Sequence, residues 1–442
     1  MARLEEKYSK LDRQRRTAFI TIVILIVGVV AMGYWWMSLS ALPKIVIPIN
    51  PLPEVNAFDT FSRAGVMLQD DSKVSFATQK THTGRDPNDR NYTLAEKEEL
   101  LKDNEPALDL FREGLKQEYM TPSYQKMDAL FPYLTNDRKI ARLLTLEAQV
   151  REARGDWKGA LQSHLDAIEA GNSIKKGGEI IHSHVGVACQ AIGQRGAYRL
   201  FDHLSQAESK SAVARLIKID KEDYPMSETF LQEKYFGQAG MMDIFQHHSS
   251  YQEVVKLLGD GGSGTDSKLQ AVRFFFTDRK RILTQYGKYM DVVSANATAP
   301  YASHPLVPVL PNDPFLQMLL PVTSQARFPA ERISVANKLL IVGLALKIYK
   351  DQHRQYPSKL TELVPSILTS LPNDPFALSG TFQYRLDKSG YVLYSVGPDG
   401  KDDGGTPIED KTRSYSNTPN AFQRYAPNAD SIGDILLGTN VK

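Results

Sequence analysis

ERISVANKLLIVGLALKIYKDQHRQYPSKL, residues 331–360, sets the fold class of this chain. Its apolar core, Leu339–Leu346, is eight residues long, well short of the roughly 20 that a membrane-crossing helix requires. A helix with such a core has to be buried, and the residues after it suggest what buries it. Tyr356–Pro357 closes the helix, because the residue before a proline is pushed out of the helical region. Lys359–Leu368 suggests a short second helix. Thr381–Leu386 and Gly390–Val396 then alternate like the strands of a hairpin around Asp387-Lys388-Ser389-Gly390. Helix first and antiparallel sheet second is an α+β order.

The second strand breaks at Gly397–Pro398, and the loop YSVGPDGKDDGG, residues 394–405, follows. Asp399, Asp402 and Asp403 place three carboxylates within five residues. Set against an EF-hand loop, Asp399 takes the first position, Asp403 the fifth, Gly404 the glycine and Asp410 the twelfth, but Lys401 occupies the third. No helix leads in. The stretch is therefore either another oxygen-lined calcium loop, with Asp399, Asp402, Asp403 and Asp410 as candidate ligands, or a solvated acidic turn.

Taken together, AlaLeu at 345–346, Tyr356–Pro357, LPNDPF at 371–376, FQYRL at 382–386 and YSVGPDGKDDGG at 394–405 make roughly the last hundred residues resemble the major pseudopilins of bacterial type II secretion systems. The resemblance implies a pilin-like helix on an antiparallel sheet, and a calcium loop in which Asp399, Asp402 and Asp403 join backbone carbonyls. The membrane entry differs from that family: Ala18-Phe19-Ile20-Thr21 stands at the junction, and Val23 stands where the family carries a glutamate. Some three hundred residues also separate membrane segment and pilin-like domain. The whole arrangement is similar to large anchored proteins of planctomycete-like bacteria, NAFDTF at 56–61 and GDWKGAL at 155–161 included.

Ala18–Met37, AFITIVILIVGVVAMGYWWM, is twenty residues without a charge, enough to cross a hydrocarbon core of about 30 Å. Arg13, Arg15 and Arg16 precede it and Tyr34, Trp35 and Trp36 close it, which predicts a cytoplasmic amino terminus and a periplasmic or extracellular bulk. Cleavage near Ser38-Leu39-Ser40 is the alternative; the apolar core is longer than a signal peptide's. Pro43, Pro48, Pro51 and Pro53 make a stiff spacer. Lys73–Asn91 is polar and reads as a loop, after which Thr93 and Glu96 have capping-box spacing. Helical periodicity then runs to about Asp291. Within it, RLLTLEAQVREARGDWKGALQSHLDAIEAG at 142–171 predicts a helical hairpin broken at Gly155–Asp156, resembling a tetratricopeptide unit without further copies at its period. Gly259–Gly264 reads as a flexible connection rather than a phosphate loop. Seven prolines between Pro300 and Pro329 predict a linker, and the LPNDPF at 310–315 reads as a repeated turn preference.

The expected plan is residues 1–17 as a cytoplasmic basic segment, 18–37 as a single transmembrane helix, 38–56 as a proline-rich spacer, 57–299 as an irregular α-helical array, 300–330 as a proline-rich linker and 331–442 as a pseudopilin-like domain. Lys and Arg total 53 against 51 Asp and Glu, so no global charge points to nucleic acid. The single cysteine, Cys189, excludes an internal disulfide framework and is expected in the core. His182 and His184, two apart, face different sides of a helix, as do the adjacent His247 and His248, so neither pair is a zincin pair. No Walker sequence, dinucleotide fingerprint or Gly-x-Ser-x-Gly elbow is present. The expected function is a membrane-anchored interaction protein with a calcium-stabilised tail, acting on an unidentified protein partner. The alternatives are an enzyme with its site in the helical array and an atypical secretion pseudopilin. A cleft gathering His182 or His247 with buried acids favours the enzyme.

Overall fold

The computed structural model describes residues 2–79, 90–124, 131–247, 277–303, 316, 320, 323–388, 390–409 and 425–441. They fall into two units, one drawn from Met1–Ile47, Gly237–Tyr289 and Leu310–Leu320, the other from Pro48–Phe236, Met290–Val309 and Pro321–Lys442. The first unit holds α1, Ala2–Ser40. Arg16–Ser40 is long and apolar enough to cross a membrane, and none of it is buried.

The second unit begins in extended chain that Asn50 and Asn56 tie down. The Asn50 amide donates to the carbonyls of Thr121 and Gly177, both at 2.8 Å. Asn56 caps α2 (Ala57–Val66) by accepting from the Phe58 N–H, and also exchanges bonds with the Met120 backbone. Next come α3 (Asp71–Ala77), α4 (Leu94–Asp103) and α5 (Glu105–Gly114). The predicted Thr93–Glu96 capping box is present on α4. Lys73–Asn91, expected to be loop, starts inside α3: Val74 and Ala77 are buried, so two apolar side chains on one face suffice once α6 packs over them.

The predicted hairpin is α6 (Pro132–Ala153) and α7 (Trp157–Ile174). Gly155 takes the left-handed φ of +76° that the turn requires, and the Asp156 carboxylate accepts the Gly159 N–H at 2.9 Å to start α7. Helix α8 (Ile180–Ala197) lies against α7 where Gly171 and Gly186 meet; a Cβ on either would stand 2.4 Å from the other's carbonyl oxygen. Then follow α9 (Gln206–Lys221), α10 (Met226–His247) and α11 (Arg279–Ala297). Arg112 of α5 grips Glu147 of α6 and Asp166 of α7, while Arg215 of α9 grips Asp166 and Glu169, so paired charges cross-link four helices. Cys189 is buried, as expected.

Helix α12, Thr323–His353, starts before Glu331 and carries Pro329 within it. The proline-rich stretch is thus partly helical, with Pro329 in the second turn, where it costs a backbone hydrogen bond that the packing of the helix offsets. Beyond α12, the expected second helix is one 3₁₀ segment, Leu360–Leu363. The predicted hairpin is β1 (Gln383–Asp387) and β2 (Gly390–Ser395), antiparallel with Tyr384 opposite Leu393. A two-residue β3, Ile435–Leu436, completes a sheet ordered β1-β2-β3. The described chain is therefore mostly helical with one small antiparallel sheet. The sequence divides at 300–330, yet residues from both sides enter one buried cluster: Leu165 and Ile168 of α7, Leu216 of α9, Leu339 and Leu344 of α12, and Leu393 and Ile435 of the sheet. Gly259–Gly264 and the LPNDPF at 310–315 lie outside the described residues.

Candidate functional site

The loop after β2 is organised by two buried carboxylates that neither its length nor its motif announces. Asp374, in the LPNDPF turn at 371–376, accepts from the Phe376 N–H, the Ser395 hydroxyl and the Val396 N–H at 2.8 to 3.0 Å, which fixes where β2 ends. Burial pushes its pKa up. On the far side, Asp434 accepts from the Gly405 N–H at 2.7 Å, the Thr406 N–H at 3.2 Å and the Asp403 N–H at 3.3 Å. It is fully buried, and burial first, with Asp402 and Asp403 alongside, pushes its pKa up to about 6. Gly404 and Gly405, at φ of +67° and +82°, turn the loop so that its N–H groups can reach these acceptors.

Of the sequence-named carboxylates, Asp399 accepts the Lys401 N–H at 3.3 Å. Asp402 accepts the Tyr394 hydroxyl at 3.0 Å and the Gly404 N–H at 2.9 Å. Asp403 is exposed, and Asp410 lies outside the described residues. These acidic oxygens beside glycine carbonyls match the donor chemistry of a hard cation such as calcium. Among the described residues, however, no three His, Cys, Asp or Glu side chains converge as a metal-ligand group. What holds the described loop is Asp434, some thirty positions away, which sequence reading missed. The only local signal was a Gly-Asp ahead of an apolar pair at 435–436.

The histidines divide as their spacing requires, with His182 buried and His184 exposed. The His247 side chain and His248 lie outside what is described. His182 gathers partners that the sequence did not reveal. Its Nδ1 stands 2.7 Å from a Glu179 carboxylate oxygen, and its Nε2 shares a hydrogen bond of 2.7 Å with the Tyr133 hydroxyl. Nearby, Glu233 accepts the Ile180 N–H at 3.1 Å; burial first, with Glu179 adding to it, pushes its pKa up to about 7. Phe131 packs edge-on to the imidazole at 5.2 Å.

An acid, an imidazole and a phenol in series form a proton relay in principle. Two features oppose that use. The imidazole is 0% exposed, with Nε2 bonded to Tyr133 and Nδ1 enclosed beside Glu179, which leaves it no position for a substrate. The Tyr133 phenol is pushed up, by burial first, and so stays protonated rather than becoming a nucleophile. The cluster the enzyme reading asked for is present, but it is closed rather than set in a cleft, and it joins α6 to the start of α8. No family model, no curated protein and no solved structure matches this chain.

Proposed function

We propose that this is a membrane-anchored, extracytoplasmic interaction protein whose helical array offers the binding surface and whose tail is a pseudopilin-like, calcium-stabilised head. The observation that carries the reading is Arg16–Ser40, an apolar helix with no buried residue, which needs lipid to cover it. Arg16 before the run and Trp35 and Trp36 at its end support a cytoplasmic amino terminus and a bulk outside. The closed Glu179–His182–Tyr133 cluster supports binding over catalysis.

Calcium would be taken by Asp399, Asp402 and Asp403, supplying a charge that offsets their repulsion and that of Asp434. If only the folded chain binds, calcium at a hundred times its dissociation constant adds about 2.7 kcal/mol of stability. Thermal unfolding of the full chain in detergent, with calcium and then with chelator, tests this: equal midpoints remove calcium from the reading. The function itself is tested by co-purification from the native membrane with the D402A/D403A variant as a second bait. A stoichiometric partner is expected with the unmodified chain; a chain that returns alone at every detergent strength overturns the interaction reading. Protease added to intact spheroplasts should digest everything beyond Met37, and full protection overturns the topology.

A further inference from the structure

Half-buried arginines of the second unit differ in what surrounds them. Arg112 and Arg215 each grip two carboxylates, and these raise their pKa values against the opposing pull of burial. Arg332, half-buried on α12, has no hydrogen bond or ion pair with any described residue. Its pKa is lowered, by burial first and then by Arg195 of α8. The acid beside it in sequence, Glu331, is engaged by Arg327 at 3.3 Å.

Arg332 and Arg195 line a cavity of about 30 Å³ together with the apolar side chains of Ala191, Ala336, Ile435 and Val441. Gln194 and Asn440 also border it, but their amide N–H groups are directed elsewhere. Gln194 donates to the Ile333 carbonyl and to Asn337, and Asn440 donates to the carbonyls of Ile408 and Tyr425. A guanidinium partly withdrawn from water and facing a second guanidinium is costly without an opposite charge. The protein supplies such charges to Arg112 and Arg215 and none, among the described residues, to Arg332. At about 10–15 Å³ per water, the space admits a small head group and nothing bulky. Guanidinium forks match the paired oxygens of a carboxylate or phosphate.

We propose that Arg332 and Arg195 hold a small oxyanion in this cavity, tying α8 to α12 at the edge of the shared core. The test is thermal unfolding of the full chain in detergent, in phosphate against chloride at matched ionic strength, for the unmodified protein, R332Q and R195Q. Phosphate also strengthens apolar burial in general, so the difference between variants is what counts. A saturable rise in midpoint is expected for the unmodified chain, smaller in R195Q and absent in R332Q. In chloride, R332Q should unfold at or above the unmodified midpoint, because it removes an unmatched charge. Acetate in place of phosphate distinguishes a planar from a tetrahedral seat, and a saturable response to either upholds the site. Equal shifts in R332Q and the unmodified chain, no response to either anion, or a lower R332Q midpoint in chloride overturns it.

Discussion

Two apolar helices of this chain meet opposite fates. In α1 the uncharged run of twenty residues is exposed throughout, with Val29 69% and Leu25 62% accessible. In α12 the run is eight residues, and Leu339, Leu340, Val342, Leu344, Ala345 and Leu346 are all 0% accessible. Side-chain chemistry is nearly the same in both. The differences are length and what flanks the run. The eight apolar residues of α12 stand between polar residues whose needs are met inside the protein: Asn337 donates to Gln190, Lys338 faces Asp220 at 3.6 Å and Lys347 pairs with Asp351 at 2.6 Å. The apolar side chains along α1 stand exposed and need a different solvent.

Leu344 separates the two helices most sharply. Leu344→Ala should lower the stability of the full chain by about 2–5 kcal/mol, since it opens a cavity in the cluster shared by array and sheet. Leu25→Ala in α1 should leave the same denaturant midpoint in place, because that side chain is exposed. Equal losses at the two positions would mean that α1 is also a protein-buried helix.

A second test concerns burial of charge rather than of hydrocarbon. Asp137 of α6 is buried, and burial alone pushes its pKa up to about 8 from 3.8. A carboxyl whose folded pKa is raised contributes full stability below its unfolded pKa and loses it as pH rises. The chain should therefore lose stability between about pH 4 and pH 8 through this group. Asp137→Asn should flatten that slope and be more stable at pH 8 by on the order of 2 kcal/mol, read from urea midpoints across pH. An unchanged slope would mean that Asp137 is solvated.

The smallest expected effect is at the entry to the second unit. Asn56→Ala removes the α2 cap and the bonds to Met120, and should cost about 1–2 kcal/mol. Amide exchange should quicken at Phe58 and Met120, the two N–H groups that lose their acceptor. No change at either would show that water replaces the side chain freely.

Features whose physics is local can be read from the order of the residues. The two apolar run lengths, the Thr93–Glu96 box, the Gly155–Asp156 break and the hairpin around Asp387–Gly390 all depend on residues within a few positions of one another, and each is found in the fold. The partners of the polar side chains emerge with the assembled fold. His182 meets Tyr133 across 49 positions, Asn337 meets Gln190 across 147, and Asp434 reaches the acidic loop across 31 to organise it. Arg332 comes to face Arg195 in the same way. Periodicity and caps specify which face of an element is apolar and where it starts. Which polar side chain finds which partner depends on how whole helices and strands are brought together, and that depends on the packing of the complete core.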